Sequence, residues 1–215
     1  MATFRTASSV APVWGRGDPD GLIYAPPVCD TTFQTPTSTW NWDPYHAHPR
    51  SLSDLKQLYH QSVGRSCGLE LNFAPMPDGS LAPNFVQRFK EFGGWIKACY
   101  GIDAAVKGTK APVGTASAAA LGTSSVQISF RDSSSADRLV LQEDLAYGQR
   151  IRRFNVTDSR GALLYNGSSL GHKHIALLPI LVTGEVFVTI SAEGGPSSGN
   201  PPKLRRAAAY SSEGC

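Results

Sequence analysis

The sequence predicts an α/β unit followed by an all-β unit. Three observations carry that division. Over 62–101 a strand pattern, a turn and a helix pattern follow one another without a break. At about residue 102 the composition changes, and 103–125 holds many Ala, Gly, Thr and Ser with few large apolar side chains. Beyond it, short apolar runs recur between turn signals, as in an antiparallel sandwich. The expected domains are therefore 1–103 and 104–215.

The first unit is organised around SVGRSCGLELNFAPMPDGSLAPNFVQRFKEFGGWIKACYG. Leu69, Leu71 and Phe73 alternate with Glu70 and Asn72, the period of a strand. The run Ala74-Pro75-Met76-Pro77-Asp78-Gly79 ends it with residues that fix or free φ. Phe85, Phe89, Phe92 and Ile96 then recur at helical spacing among Gln87, Arg88, Lys90, Glu91 and Lys97. A strand, a turn at its carboxyl end and a helix laid back on it form one module of an α/β barrel or open sheet. Sites in such folds lie at the carboxyl ends of the strands, here Asn72 to Asp78. We read Asn72 as a strand-end amide that ties loops and Asp78 as a turn aspartate.

Ahead of this module, 51–63 reads as a helix. Ser51 is placed as N-cap, Asp54 as its capping-box partner, and Leu52, Leu55, Leu58 and Tyr59 as its apolar stripe. Gly64 is expected to close it in the left-handed conformation. Further upstream, Trp14 to Gly21 is a turn-rich loop that brings Arg16, Asp18 and Asp20 within five positions. Trp40 and Trp42 lie two apart, so on a strand both point to one face. They are either core residues or a platform for the apolar face of a sugar.

The second unit offers VQISF, RLVLQEDL, QRIRRFNVTD, ALLYNGS, HIALLPIL and VFVTIS as strands. Glu143 and Asp144 are expected to form sheet-edge ion pairs with Arg150, Arg152 and Arg153. The segment 194–202 reads as loop and 211–215 as frayed end. Asn155-Val156-Thr157 and Asn166-Gly167-Ser168 fit the acceptor pattern for N-glycosylation, which matters only in a secreted chain.

Composition narrows the partners. With 41% hydrophobic and 17% charged residues the chain has the makings of a core. A formal net charge of +3, without Lys/Arg runs among aromatics, gives no nucleic-acid footprint. No stretch of apolar residues is long enough for a membrane-spanning helix. MATFRTASSVAPVWGRG lacks an apolar h-region, so either the chain is cytosolic as written or its amino terminus lies upstream. The four cysteines, Cys29, Cys67, Cys99 and Cys215, form no CxxC pair and no histidine stands at finger spacing. No metal or other cofactor is expected. Four cysteines do not make a disulfide scaffold; a single bridge is open, its pairing undetermined.

The order WGRGDPDG, PPVCDTT, WNWDP, a Leu-rich helix, SVGRSCGLELNFAPMPDG and a helix ending in EFGGWIK resembles the last third of the catalytic domain of family 29 glycoside hydrolases, the α-L-fucosidases. DRLVLQEDLAYGQRIRRFNV followed by LGHKHIALLPI is similar to the carboxyl-terminal β-sandwich of plant-type and bacterial members. The resemblance covers roughly 14–103 and 126–210. It implies an incomplete (β/α)8 barrel followed by a galactose-binding-like sandwich. It also implies a retaining glycosidase that releases terminal α-linked L-fucose through an Asp nucleophile and a Glu acid/base.

Two departures follow. A complete barrel needs about 250 residues, so the nucleophile segment is expected upstream of residue 1 and the chain is expected to be an amino-terminally truncated form, inactive by itself. Where many members carry the acid/base Glu in a Pro-Ala-Glu-Cys-Asp string, this chain has Val28 in PPVCD. Valine transfers no proton, which leaves Asp30, Asp18 and Asp20 as the nearby carboxylates. Trp40 and Trp42 match the family's Trp-Phe-Trp string and Arg16 its Arg-Gly-Asp-Pro loop, so the resemblance implies sugar binding for these three. It implies a fucosylated glycan as partner and a lysosomal or extracellular compartment. The alternative is a non-catalytic carbohydrate-binding protein built on the sandwich.

Overall fold

The computed structural model describes residues 26–35, 40–45, 47–101, 111–117, 121, 124–131, 134–146, 148–192, 201–213 and 215. The expectations for Arg16, Asp18, Asp20 and the Trp14 loop fall outside these residues. The described part is mostly β-strand with few helices.

The chain opens with strand β1 (Val28–Thr32), which pairs in parallel with β4 (Gly68–Asn72). Between them run the short antiparallel pair β2 (Gln34–Thr35) and β3 (His48–Pro49), then helix α1 (Leu52–Gln61). Helix α2 (Pro83–Tyr100) follows β4. Ser51 caps α1 as expected, its Oγ accepting the backbone N–H of Asp54 at 3.0 Å. The helix ends at Gln61 rather than at Gly64. Gly64 is not the left-handed residue; Ser66 is, at φ 67°. What Gly64 supplies is space, since a Cβ there would stand 2.4 Å from the His60 carbonyl oxygen. In α2, Phe85, Phe92, Trp95, Cys99 and Tyr100 are buried, whereas Phe89, expected in the apolar stripe, is 49% exposed.

The second region is two four-stranded antiparallel sheets. The first is ordered β10 (His174–Thr183), β7 (Ser135–Glu143), β12 (Leu204–Tyr210), β5 (Gly114–Thr115). The second is ordered β6 (Ser125–Ser129), β11 (Glu185–Ser191), β8 (Arg153–Asp158), β9 (Leu163–Gly167). Their inner faces meet in one core, with Leu139, Leu141, Ala176, Ala207 and Ala209 against Val126, Ile128, Phe154, Val156, Val186 and Val188. Strand β12 lies inside its sheet, between β7 and β5. No strand signal marks it, because Arg205-Arg206-Ala207-Ala208-Ala209 has neither alternation nor strand-forming side chains.

Part of the outer face of the first sheet is also buried, while Leu177 of β10 and Arg206 of β12 stay exposed. Val140, Ile175, Ala208 and Tyr210 share a core with Leu55 and Tyr59 of α1 and Phe85, Phe92, Trp95 and Tyr100 of α2. Polar contacts run along this seam. Ile175 N–H donates to the Gly64 carbonyl at 2.9 Å, and Lys173 Nζ to Tyr59 Oη at 3.0 Å. Arg138 Nη1 donates to Tyr100 Oη at 3.4 Å.

The described residues hold all four cysteines, and all are paired: Cys29 with Cys67 and Cys99 with Cys215. That replaces the single undetermined bridge expected from sequence. Cys215 is thereby tied to the end of α2, not frayed. Glu143 departs from expectation as well. It is 2% exposed rather than at an open sheet edge, and of the three arginines expected to pair with it Arg152 adds an electrostatic pull. Its carboxylate accepts the backbone N–H groups of Arg150, Ile151 (2.7 Å) and Gly171 (3.1 Å), stapling two loops to the end of β7. Burial pushes its pKa up, against the pull of those three donors.

Candidate functional site

The carboxyl ends of β1 and β4 are joined by Phe33 N–H donating to the Asn72 carbonyl at 3.0 Å. Phe33 is fully buried and stacks on Phe73, ring centroids 4.4 Å apart. Phe85 and Phe89 meet its ring edges at 6.0 and 6.1 Å. Residues 40–45, which carry both tryptophans, meet this ring cluster through Trp42 and Phe85.

Trp40 and Trp42 are not on a strand and do not share one environment. Trp40 is 45% exposed; Trp42 is partly buried and sets its ring against Phe85 at 6.0 Å. Trp42 therefore anchors the loop and Trp40 offers a surface. The link to the strand ends is Gln34, which is fully buried and donates from Nε2 to the Asn41 carbonyl, between the two indoles, at 2.9 Å. Asp43 turns the loop, its Oδ1 accepting Tyr45 N–H at 2.8 Å.

Arg50 completes the arrangement. Its Nε donates to the Thr32 carbonyl at 2.7 Å and its Nη2 to Thr31 Oγ1 at 3.1 Å. Its backbone N–H donates to the Phe33 carbonyl at 2.9 Å. Sequence reasoning missed both Gln34 and Arg50, since a lone amide and a lone guanidinium carry no spacing signal. Asp78 takes the turn role expected, whereas Asn72 joins the strand ends through its backbone and its side-chain Oδ1 is buried with no hydrogen-bond partner among the described residues. Asn72 supplies the carbonyl that joins the strand ends. Asp78 Oδ1 accepts both the N–H and the hydroxyl of Ser80, at 2.9 and 2.8 Å. Those donors hold its carboxyl below the ordinary range.

Val28 stands elsewhere. It opens β1, 62% exposed, at the opposite end of the strand from Thr32. Four strand steps of ~3.3 Å put about 13 Å between their Cα atoms. Asp30 and Glu70 are register partners, both exposed, and their side chains leave on the same face as Val28. Among the described residues no group of His, Cys, Asp and Glu could hold a metal ion. At the tryptophan loop Trp40 offers an exposed aromatic surface, while the Gln34 amide and the Arg50 guanidinium are turned to the Asn41 carbonyl and the end of β1.

No protein-family model matches the chain. An Oryza sativa subsp. japonica protein described as "Putative alpha-L-fucosidase 1" is 27% identical over 218 residues, 88% of this chain and 41% of that protein. A solved structure from Bacteroides thetaiotaomicron, described in the same words, superposes with a TM-score of 0.73 at 25% identity. It covers 91% of this chain and 43% of that one. The chain is similar in sequence and fold to proteins described as putative α-L-fucosidases. A further solved structure, SpGH29, gives a TM-score of 0.69 at 25% identity over 91% of this chain and 46% of its own. A Ruminococcus gnavus GH29 fucosidase solved with fucose shares the fold, with a TM-score of 0.70 at 21% identity. The chain spans less than half the length of the first three of these proteins.

Proposed function

We propose that residues 1–215 are the carboxyl-terminal part of a retaining α-L-fucosidase acting on terminal α-linked L-fucose of glycoconjugates. In this reading 1–103 holds the last βα units of a (β/α)8 barrel and 104–215 its galactose-binding-like sandwich. The observation that carries it is the likeness over 91% of the chain, through helical and sandwich regions in the same order, to a protein described as a fucosidase. The order β1, α1, β4, α2 with β1 and β4 parallel supports the barrel assignment.

The chemistry divides accordingly. Retention needs two carboxyl groups about 5 to 5.5 Å apart, one attacking the anomeric carbon and the other protonating the leaving oxygen and then activating water. Val28 supplies no proton, and we assign the nucleophile to no carboxylate of this chain. Residues 1–215 bind and orient the sugar. Trp40 packs on its apolar face, Trp42 fixes the loop from below, and Arg16 donates to hydroxyls. The compartment is an oxidising one, in keeping with the two disulfides.

The test is fucose titration of this chain by tryptophan fluorescence, alongside an assay with an aryl α-L-fucoside. Fucose quenches the emission, Trp40→Ala weakens binding about tenfold, from loss of roughly 1.4 kcal/mol of stacking, and no aryl alcohol is released above background. Unchanged affinity in Trp40→Ala would sink the binding assignment. Release by residues 1–215 alone would overturn the placement of the nucleophile.

A further inference from the structure

We infer that Asn155 and Asn166 are alternative acceptors for a single N-linked glycan on the outer face of the second sheet. The two acceptor sequences, Asn155-Val156-Thr157 and Asn166-Gly167-Ser168, are 11 residues apart in the chain. In the sheet they are direct register partners across β8 and β9. Both asparagines are exposed, while Phe154 and Val156 on the other face of β8 are buried in the sandwich core. The row continues through Thr189 of β11 to Ser125 of β6, both exposed. The acceptors thus sit on a polar row across the sheet, with Phe187 and Leu163 on the neighbouring row opposite Thr157.

The register is fixed from two sides. Asp158 Oδ1 accepts the N–H groups of Arg160 (2.9 Å) and Ala162 (2.8 Å), shaping the turn between β8 and β9 around Gly161, whose φ is 81°. Gly167 lies against Phe154, and a Cβ there would stand 2.1 Å from the ring. Packing therefore accounts for the glycine of Asn-Gly-Ser. It does not account for the asparagine or the serine.

The second observation is the cysteine pairing. All four cysteines are in disulfides, which persist in oxidising compartments, among them the secretory route where Asn-X-Ser/Thr is modified. The step forms a bond between an asparagine Nδ2 and the anomeric carbon of an oligosaccharide. It breaks that carbon's bond to the diphosphate of a lipid donor, and the amide proton leaves with the lipid diphosphate. Opposed residues of an antiparallel pair hold their Cβ atoms about 4.5–5.5 Å apart and point the same way. Two core glycans rooted at that spacing collide, so the folded hairpin carries one.

The test is to secrete the full chain from eukaryotic cells behind a supplied leader and weigh it before and after peptide amidase treatment. Arg153, Arg160 and Lys173 place the two acceptors on separate tryptic peptides, and the aspartate left by the amidase marks the site. The expected result is one glycan per chain, divided between the two peptides. Asn155→Gln and Asn166→Gln each keep one glycan, and the double variant has none. Thr157→Val and Ser168→Ala give the same readout with both asparagines in place, should the amide changes disturb folding. Two glycans on one folded chain, no glycan on the wild type, or complete loss in either single variant overturns the inference.

Discussion

The two sheets of the sandwich share an inner core but differ on their outer faces. Beyond the first sheet, Val140, Ile175, Ala208 and Tyr210 are buried under α1 and α2. Beyond the second, Ser125, Gln127, Asn155, Thr189 and Asn166 face water. A strand covered on both faces is apolar at consecutive positions, as Leu139-Val140-Leu141 is, whereas a strand with one wet face alternates, as Ser125 to Ser129 does. The lesson is that the first sheet does not belong to the sandwich alone. Isolating 104–215 would bare four of its buried side chains.

The largest test of this difference is a charge placed on the covered face. Val140→Asp removes apolar burial and leaves an unpaired carboxylate, costing about 4 kcal/mol by urea denaturation. A cost near zero would mean that the helices do not seal this face. Next is the covalent tie across the seam. Cys215→Ser frees the end of a loop with a sequence separation of 116 and lowers stability by about 2–4 kcal/mol, read as a drop in melting temperature without reductant. The third is pH. His60 contacts Tyr100 Oη and lies near Arg138 and Lys56. Burial first, and those two cations second, lower its pKa from 6.5 to about 4. His174 sits between Tyr165 Oη (2.9 Å) and Arg65 Nη1 (3.4 Å), and burial, then Arg65, lowers it to about 3. Both folded-state values lie below the unfolded one, so this stability is full above pH ~6.5 and is lost as pH falls through the folded values. The slope reaches about 1.4 kcal/mol per pH unit for each histidine. Unfolding titrations of His60→Asn and His174→Asn should each flatten it. The smallest effect belongs to the open face, where Thr189→Asp changes stability by no more than about 0.5 kcal/mol.

Legibility in the sequence followed the same division. Alternation in Val126 to Phe130 and Val186 to Ser191 marked strands with one wet face. The 62–101 pattern gave β4 and α2 because a turn of Pro, Asp and Gly separates two different periods. The strand β12 stayed hidden, since alanines buried on both sides satisfy packing without any periodic signal. Glu143 was misread for a related reason: its partners are backbone N–H groups of distant loops, which leave no mark in the local sequence. At the candidate site, Trp40 and Trp42 could be picked out as a pair, but their division into anchor and surface could not. That division depends on Phe85 and on Gln34, neither of which has any sequence relation to them. The cysteine pairs were out of reach because β1 against β4, and the end of α2 against the end of the chain, are tertiary facts.

The bridge between Cys99 and Cys215 makes the region from α2 to the last residue a covalent ring. A protease that cuts once anywhere between those two residues opens the ring but releases nothing. The products travel as one molecule on a non-reducing gel and part only when a thiol is added. The helical layer and the sheets would thus keep their high local concentration after a nick, and the seam could re-form without a bimolecular encounter.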